Sequence, residues 1–194
     1  SLYLFLILFT LQTSSQADDI RDFQIEGMSI RDSFLDYLSK KEIEKRKSFY
    51  KESKSNPKKF AFIDLDSDDL TLEVYDQIKV DFKNSDSKYK IYALGGIIFY
   101  KDNINDCYKK KDTIVTEISQ MFKETRKDDA GTQKHFIDKS GKSKTTDFIF
   151  WFKSGDFVVV SCYDWSKKYE KKGNTDHLRL GIVTKKYHDW LWEQ

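Results

Sequence analysis

Apolar and polar positions change their period several times along the chain, and the changes mark its elements. Leu2 to Leu11 is a nearly unbroken apolar run. From Ser29 the apolar positions Ile30, Phe34, Tyr37 and Leu38 follow helical spacing. Asp32 stands three residues after Ser29 as a partial capping box, so the spacing predicts a helix there. Ser39 with Glu42 repeats the signal, and the helix is expected to break and restart over 40–47. Period-two or continuous apolar stretches predict strands at 60–65, 74–82 and 88–100. In the second of these Ile78, Val80 and Phe82 share one face, with Gln77, Lys79 and Asp81 on the other. Gly95-Gly96 inside the third suggests a bulge or a close backbone approach.

The second half repeats this order. Helical spacing over 103–123 puts Ile104, Cys107, Tyr108, Ile114, Ile118, Met121 and Phe122 on one stripe. Strands are expected at 133–138, 146–153, 156–165 and 178–183, with a loop at 128–132 and a tight turn at Ser154-Gly155. A short amphipathic helix over 185–192 would dock through Trp190 and Leu191. The short connections force antiparallel pairing. The expected fold class is α+β: a mainly antiparallel sheet of about seven strands with two helices on one face, in tandem halves near 18–101 and 102–194.

The Leu2–Leu11 run has the length of a signal-peptide core and is too short for a membrane span of about 20 residues. Ser15-Gln16-Ala17 supplies small residues for cleavage, with the basic start expected upstream of Ser1. Residues 1–17 therefore predict a signal peptide and 18–194 a single exported domain, periplasmic or secreted, with no membrane span after cleavage. Cys107 and Cys162 are the only cysteines, and an even pair in an exported chain predicts one disulfide. The alternative is two buried free thiols. Cys107 lies on the inner stripe of its helix, and Cys162 shares a strand face with Val158 and Val160.

Charge is balanced: 34 basic and 32 acidic residues give a net +2. That leaves no electrostatic footprint for nucleic acid. Asp64, Asp66 and Asp68 begin like a calcium loop, but Asp69 and Tyr75 stand where Gly and Glu are required. His135, His177 and His188 have no zinc spacing, and Lys109-Lys110-Lys111 reads as a solvated helix face. No nucleophile elbow, C-x-x-C pair or phosphate-binding glycine loop is present. No metal or cofactor is expected.

Glu26-Gly27-Met28-Ser29 resembles the Gly-Met-Ser helix start of the beta-lactamase-inhibitor-protein and SmpA/BamE-like superfamily, whose tandem helix-plus-strands architecture the halves are similar to. The resemblance implies an envelope protein, although the lipid-anchoring cysteine of the outer-membrane members is absent. The stretches 22–37 and 176–190 resemble an uncharacterised exported family of small marine bacteria, implying periplasmic residence.

One chemical hint remains. Trp151, Tyr163, Trp165 and Tyr169 gather around the last strands, and Tyr and Trp are favoured on recognition surfaces. On the sheet face away from the helices they would form an interaction surface. The expected function is a noncatalytic protein-interaction or binding module for an envelope protein or small ligand. The alternatives are a small-molecule carrier and a hydrolase with a dispersed site.

Overall fold

The computed structural model describes residues 20–50, 56–101 and 103–192; the leader at 1–17 lies outside the described residues. Seven strands form one sheet: β1 (Phe60–Leu65), β2 (Gln77–Lys83), β3 (Ile91–Phe99), β4 (Arg126–Lys134), β5 (Lys144–Trp151), β6 (Phe157–Asp164) and β7 (His177–Val183). Their order is β1-β2-β3-β7-β6-β5-β4, and every neighbouring pair is antiparallel. The sheet is open. The first half of the chain supplies β1–β3, the second β4–β7, and the β3–β7 ladder joins them, with Gly95 opposite Gly181. Four helices accompany the sheet: α1 (Lys40–Arg46), α2 (Ile104–Met121), α3 (Lys167–Glu170) and α4 (Lys185–Trp192). No helix among the described residues is long and apolar enough to cross a membrane.

Alternation along β3 sorts the two faces. Leu94 points into the main core with Ile78, Val80, Phe82, Val158, Val160, Leu178, Leu180 and Ile182. Over this first face lies α2, through Cys107, Ile114 and Ile118, joined by Ile43 of α1 and by Ile20, Phe23, Ile25, Met28 and Phe34. Ala93 points the other way, into a smaller cluster with Phe60, Tyr187 and Trp190. That second face is where α4 docks, with Trp190 only 2% exposed.

Cys107 and Cys162 form a disulfide with Cα atoms 6.0 Å apart, closing a 55-residue separation and tying α2 to β6. Among the described residues there is no free cysteine.

Several local expectations are corrected. No helix starts at Ser29. Glu26 (φ 49°) and Gly27 (φ 77°) make a tight turn in which Ile25 and Met28 exchange backbone hydrogen bonds of 3.0 Å. Arg31 N–H then donates to the Ile91 carbonyl, and Ile91 N–H to that of Asp32. The segment is thereby held against the start of β3, with only a 3-10 turn at Phe34–Asp36. Burial, rather than helical periodicity, explains its apolar residues. The helix at Ser39 does form; its side chain accepts from Glu42 N–H at 3.3 Å.

Strand β4 is another correction. It occupies 126–134 rather than 133–138, and 135–143 is the loop. Its sequence, RKDDAGTQK, is polar because β4 is an exposed edge strand, so no hydrophobic period marks it. Lys111 is also not on a solvated face; it is 7% exposed, its stem lying along the protein while its ammonium reaches Asp112 at 3.2 Å. The Asp66–Asp69 turn is structural: Asp69 is ion-paired with Arg46, and Asp66 accepts from Asp68 N–H.

Gly95-Gly96 is a close approach, not a bulge; the irregularities fall at Asp81/Phe82 and Asp129/Gly131. A Cβ on Gly96 would stand 2.5 Å from the Tyr75 ring, and one on Gly95 2.6 Å from Arg179 Nε. The two glycines admit one large side chain on each face of the same strand.

Replacing both cysteines by serine is expected to lower unfolding stability by roughly 2–5 kcal/mol, read by chemical denaturation. In the native protein, alkylation should label Cys107 and Cys162 only after reduction.

Candidate binding face

The second face carries the unusual chemistry. Cross-strand pairing places Asp81 beside Ala93, Lys79 beside Gly95, Gly95 beside Gly181, and Arg179 between Ile97 and Ser161. Directly opposite residues of paired strands point to the same side. Asp81, Lys79 and Arg179 therefore share one face, although a solvated face was expected for the first two. The reason lies far away in sequence. Tyr50 and α4 fold over this side, leaving Asp81 0% exposed.

The Tyr50 and Tyr187 hydroxyls both donate to Asp81 Oδ1, at 2.6 and 2.9 Å. Asp81 Oδ2 is buried without a partner. Burial pushes the Asp81 carboxyl above its ordinary range, because the charged form loses hydration. Burial likewise raises both tyrosines, first among their causes, so they remain hydroxyl donors. Lys79 is lowered by burial; its ammonium lies 3.5 Å over the Phe62 ring and 3.8 Å from Asp64.

Arg179 differs from these. Its guanidinium lies over Gly95, surrounded by protein, while the residue as a whole is half-buried. It makes no ion pair or side-chain hydrogen bond with any described residue, and its Nε is fully buried.

A band of rings continues across this face. Tyr169 stacks on Trp165 at 5.7 Å, Trp165 packs on His135 at 4.5 Å, and His135 stacks on Phe136 at 4.9 Å. Phe136 meets Trp192 edge-on at 5.6 Å, and Trp192 reaches His188 at 6.4 Å. His188 packs against Phe157, which touches Trp151 at 4.7 Å. Tyr163 joins the first group through Trp165 and stacks on His177 at 4.4 Å. Trp151, Tyr163, Trp165 and Tyr169 thus lie along one band, but in two clusters that Phe136, Trp192 and His188 connect. Trp165 is largely buried, whereas Phe136 and Trp192 are 65% and 56% exposed.

The loop presenting Phe136 is pinned. Asp138 Oδ1 accepts from Ser140 N–H and Oγ–H; Oδ2 accepts from Ser143 N–H and Oγ–H and from Ser166 Oγ–H, all within 2.6–3.0 Å. These donors, Ser140 first, hold the Asp138 carboxyl well below the usual carboxylate range. Tyr169 Oη–H donates to the Ile137 carbonyl at 2.8 Å. Beside the loop a shallow cleft of about 620 Å³ opens between Lys101, Ile104, Asp164, Trp165 and Lys167.

The histidines serve the band. His177 Nδ1 lies 2.7 Å from the Thr175 carbonyl, which fixes that nitrogen as the donor. Burial lowers the His177 ring to about 4 and also lowers His135. Among the described residues, neither His135 nor His177 hydrogen-bonds a serine hydroxyl or a carboxylate. No group of three or more His, Cys, Asp or Glu among the described residues is placed to hold a metal ion.

The sequence reading missed Arg179, Asp81, Tyr50, Tyr187, Phe136 and Trp192. One signal was available: Leu178-Arg179-Leu180-Gly181-Ile182 sets an arginine beside a glycine inside an apolar strand, in a chain with only five arginines. No family model, curated protein or solved structure matches the chain.

Because His177 takes its proton less readily when folded, the unfolded chain binds the extra proton between pH 6.5 and about 4. Stability is therefore fully present above pH 6.5 and lost as pH falls through that window. His177→Gln should show a shallower fall in Tm from pH 7 to 4.5 than wild type, by scanning calorimetry. Parallel curves would refute this assignment.

Proposed function

We propose that this protein is an exported, noncatalytic binding module that engages an envelope partner or small ligand through the α4 face of its sheet. The observation that carries the reading is the pair of contacting exposed rings, Phe136 and Trp192. Phe136 stands on a loop held by five hydrogen bonds to Asp138 and one from Tyr169. A large apolar ring in water is disfavoured, and holding it in place gains nothing for the core. A pre-ordered aromatic does favour association, because little side-chain entropy is left to lose on binding.

Export is supported by the Cys107–Cys162 disulfide, which belongs to an oxidising compartment, and by the leader-like pattern over 1–17. A carrier that encloses its ligand between α2 and the sheet is less well supported, since that interface is filled by apolar side chains and the disulfide. A dispersed hydrolase site would need a histidine ring bonded to a nucleophile; His135 meets Asp138 and Ser143 only through backbone hydrogen bonds, and the side-chain hydrogen bonds of the Asp138–Ser140–Ser143–Ser166 cluster include no histidine.

The test places a photo-crosslinking residue at Phe136 and, as a control, at Leu35, which is also exposed. Adducts in the native envelope should form from position 136, be absent from position 35, and fall at least about tenfold in a Trp192→Ala background. Equal adducts from both positions, or indifference to Trp192, would overturn the assignment of this face. The intact mass of the exported protein should begin at Asp18.

A further inference from the structure

Four buried side-chain polar atoms among the described residues lack a hydrogen-bond partner: Asp81 Oδ2, Arg179 Nε, Trp151 Nε1 and Trp165 Nε1. All belong to the second face or its ring band. Buried polar groups are nearly always paired, so a cluster of exceptions on one surface calls for an explanation. Arg179 is the most exacting of the four. A guanidinium offers five N–H donors in a planar fork, always charged, and is normally met by a carboxylate or phosphate. Here it has no acid within ion-pairing distance among the described residues.

The guanidinium is also placed with care. A Cβ on Gly95 would lie 2.6, 3.1 and 3.2 Å from Arg179 Nε, Nη2 and Cζ, so any other residue at 95 would push the fork from its place over β3. Asp81 acts on Arg179 electrostatically but forms no ion pair with it: its Oδ1 accepts from Tyr50 and Tyr187, and its Oδ2 accepts no hydrogen bond from any described residue. What remains is a held cation that feels the charge of Asp81 but has no hydrogen-bond or ion-pair partner among the described residues.

We infer that Arg179 is the anchor of a ligand site for the carboxylate of a small monoanionic organic acid with a planar apolar body. The single charge of the fork matches one negative charge, whereas a phosphate dianion would leave a second one buried. Tyr163, next to Ser161 and Arg179 on the same face and stacked on His177, supplies a ring for the body. This inference rests on the reading that the α4 face is the binding face, and it names the chemistry that face selects.

The experiment is calorimetric titration with phenylacetate, its neutral analogue phenylacetamide and inorganic sulfate. Phenylacetate should bind saturably to the wild type, and about tenfold or more tighter than the amide or sulfate. Arg179→Gln should lose that binding, and Arg179→Lys should retain only part of it. Equal binding of acid and amide would overturn the inference, as would sulfate binding as tightly as phenylacetate, or no saturable binding at millimolar concentration. Should Arg179→Gln not fold, phenylglyoxal labelling of Arg179 in the wild type decides. Slowing by phenylacetate alone supports the site, and indifference to it refutes the site. If Phe136 crosslinks persist while phenylacetate fails, the anion site falls and the binding-face reading stands. Loss of the crosslinks with phenylacetate still bound at Arg179 would mean the reverse.

Discussion

The ladder between β3 and β7 is the contact on which the rest of the molecule depends. Among the described residues it is the only place where the strands of the first half meet those of the second, and it runs from Ala93–Val183 to Phe99–His177. At its centre two glycines face each other, Gly95 and Gly181. Glycine inside a strand ordinarily weakens it. Here the missing side chains make room where the sheet is most enclosed. Tyr75 lies against Gly96 on the core side and Arg179 against Gly95 on the other. The flanking apolar pairs Leu94–Ile182 and Ile98–Leu178 keep the junction buried.

That junction divides two kinds of interior. On the α2 side the packing is apolar and covalently tied by Cys107–Cys162. On the α4 side an aspartate, a lysine and an arginine sit among tyrosines and tryptophans. The first side resembles a core whose task is stability. The second accepts buried charge, which generally costs stability unless every group is matched. The cost is partly offset by the two tyrosine hydroxyls on Asp81 and by the Phe62 ring beneath Lys79. At Arg179 only longer-range attraction to Asp81 and the tyrosines opposes it, with no hydrogen bond from Nε to any described residue.

How much of this was legible follows from where the information resides. Strand β1 was read at its true bounds, and α2 and α4 to within about three residues. Their apolar periods and caps are local, and the cysteine pair followed from a helix stripe and a strand face. The segment after Ser29 misled because burial against β3 imitates helical spacing without a helix. β4 gave no signal because an edge strand exposed to water needs no apolar face. Asp81 and Lys79 read as solvent-facing because β2 alternates cleanly. What covers them, Tyr50 and Tyr187, lies 31 and 106 residues from Asp81. Trp151, Tyr163, Trp165 and Tyr169 stand out from the composition of the strands, but the residues bridging them, Phe136 and Trp192, come from a loop and a helix end. Strand periodicity does not reach either.

The polarity of β4 has a further consequence. An open sheet ends in unpaired backbone groups that can recruit a strand from another chain. Strand β4 presents Arg126, Lys127, Asp128, Asp129 and Lys134 along that edge, and the irregularity at Asp129/Gly131 breaks its straightness. At the opposite edge, Ser48 closes a bridge onto Phe62 of β1 and occupies part of its ladder. Both rims are therefore poor templates for strand addition. A chain that carries aromatic rings in the open can stay dispersed at high concentration, because its backbone edges offer neighbouring copies little to extend.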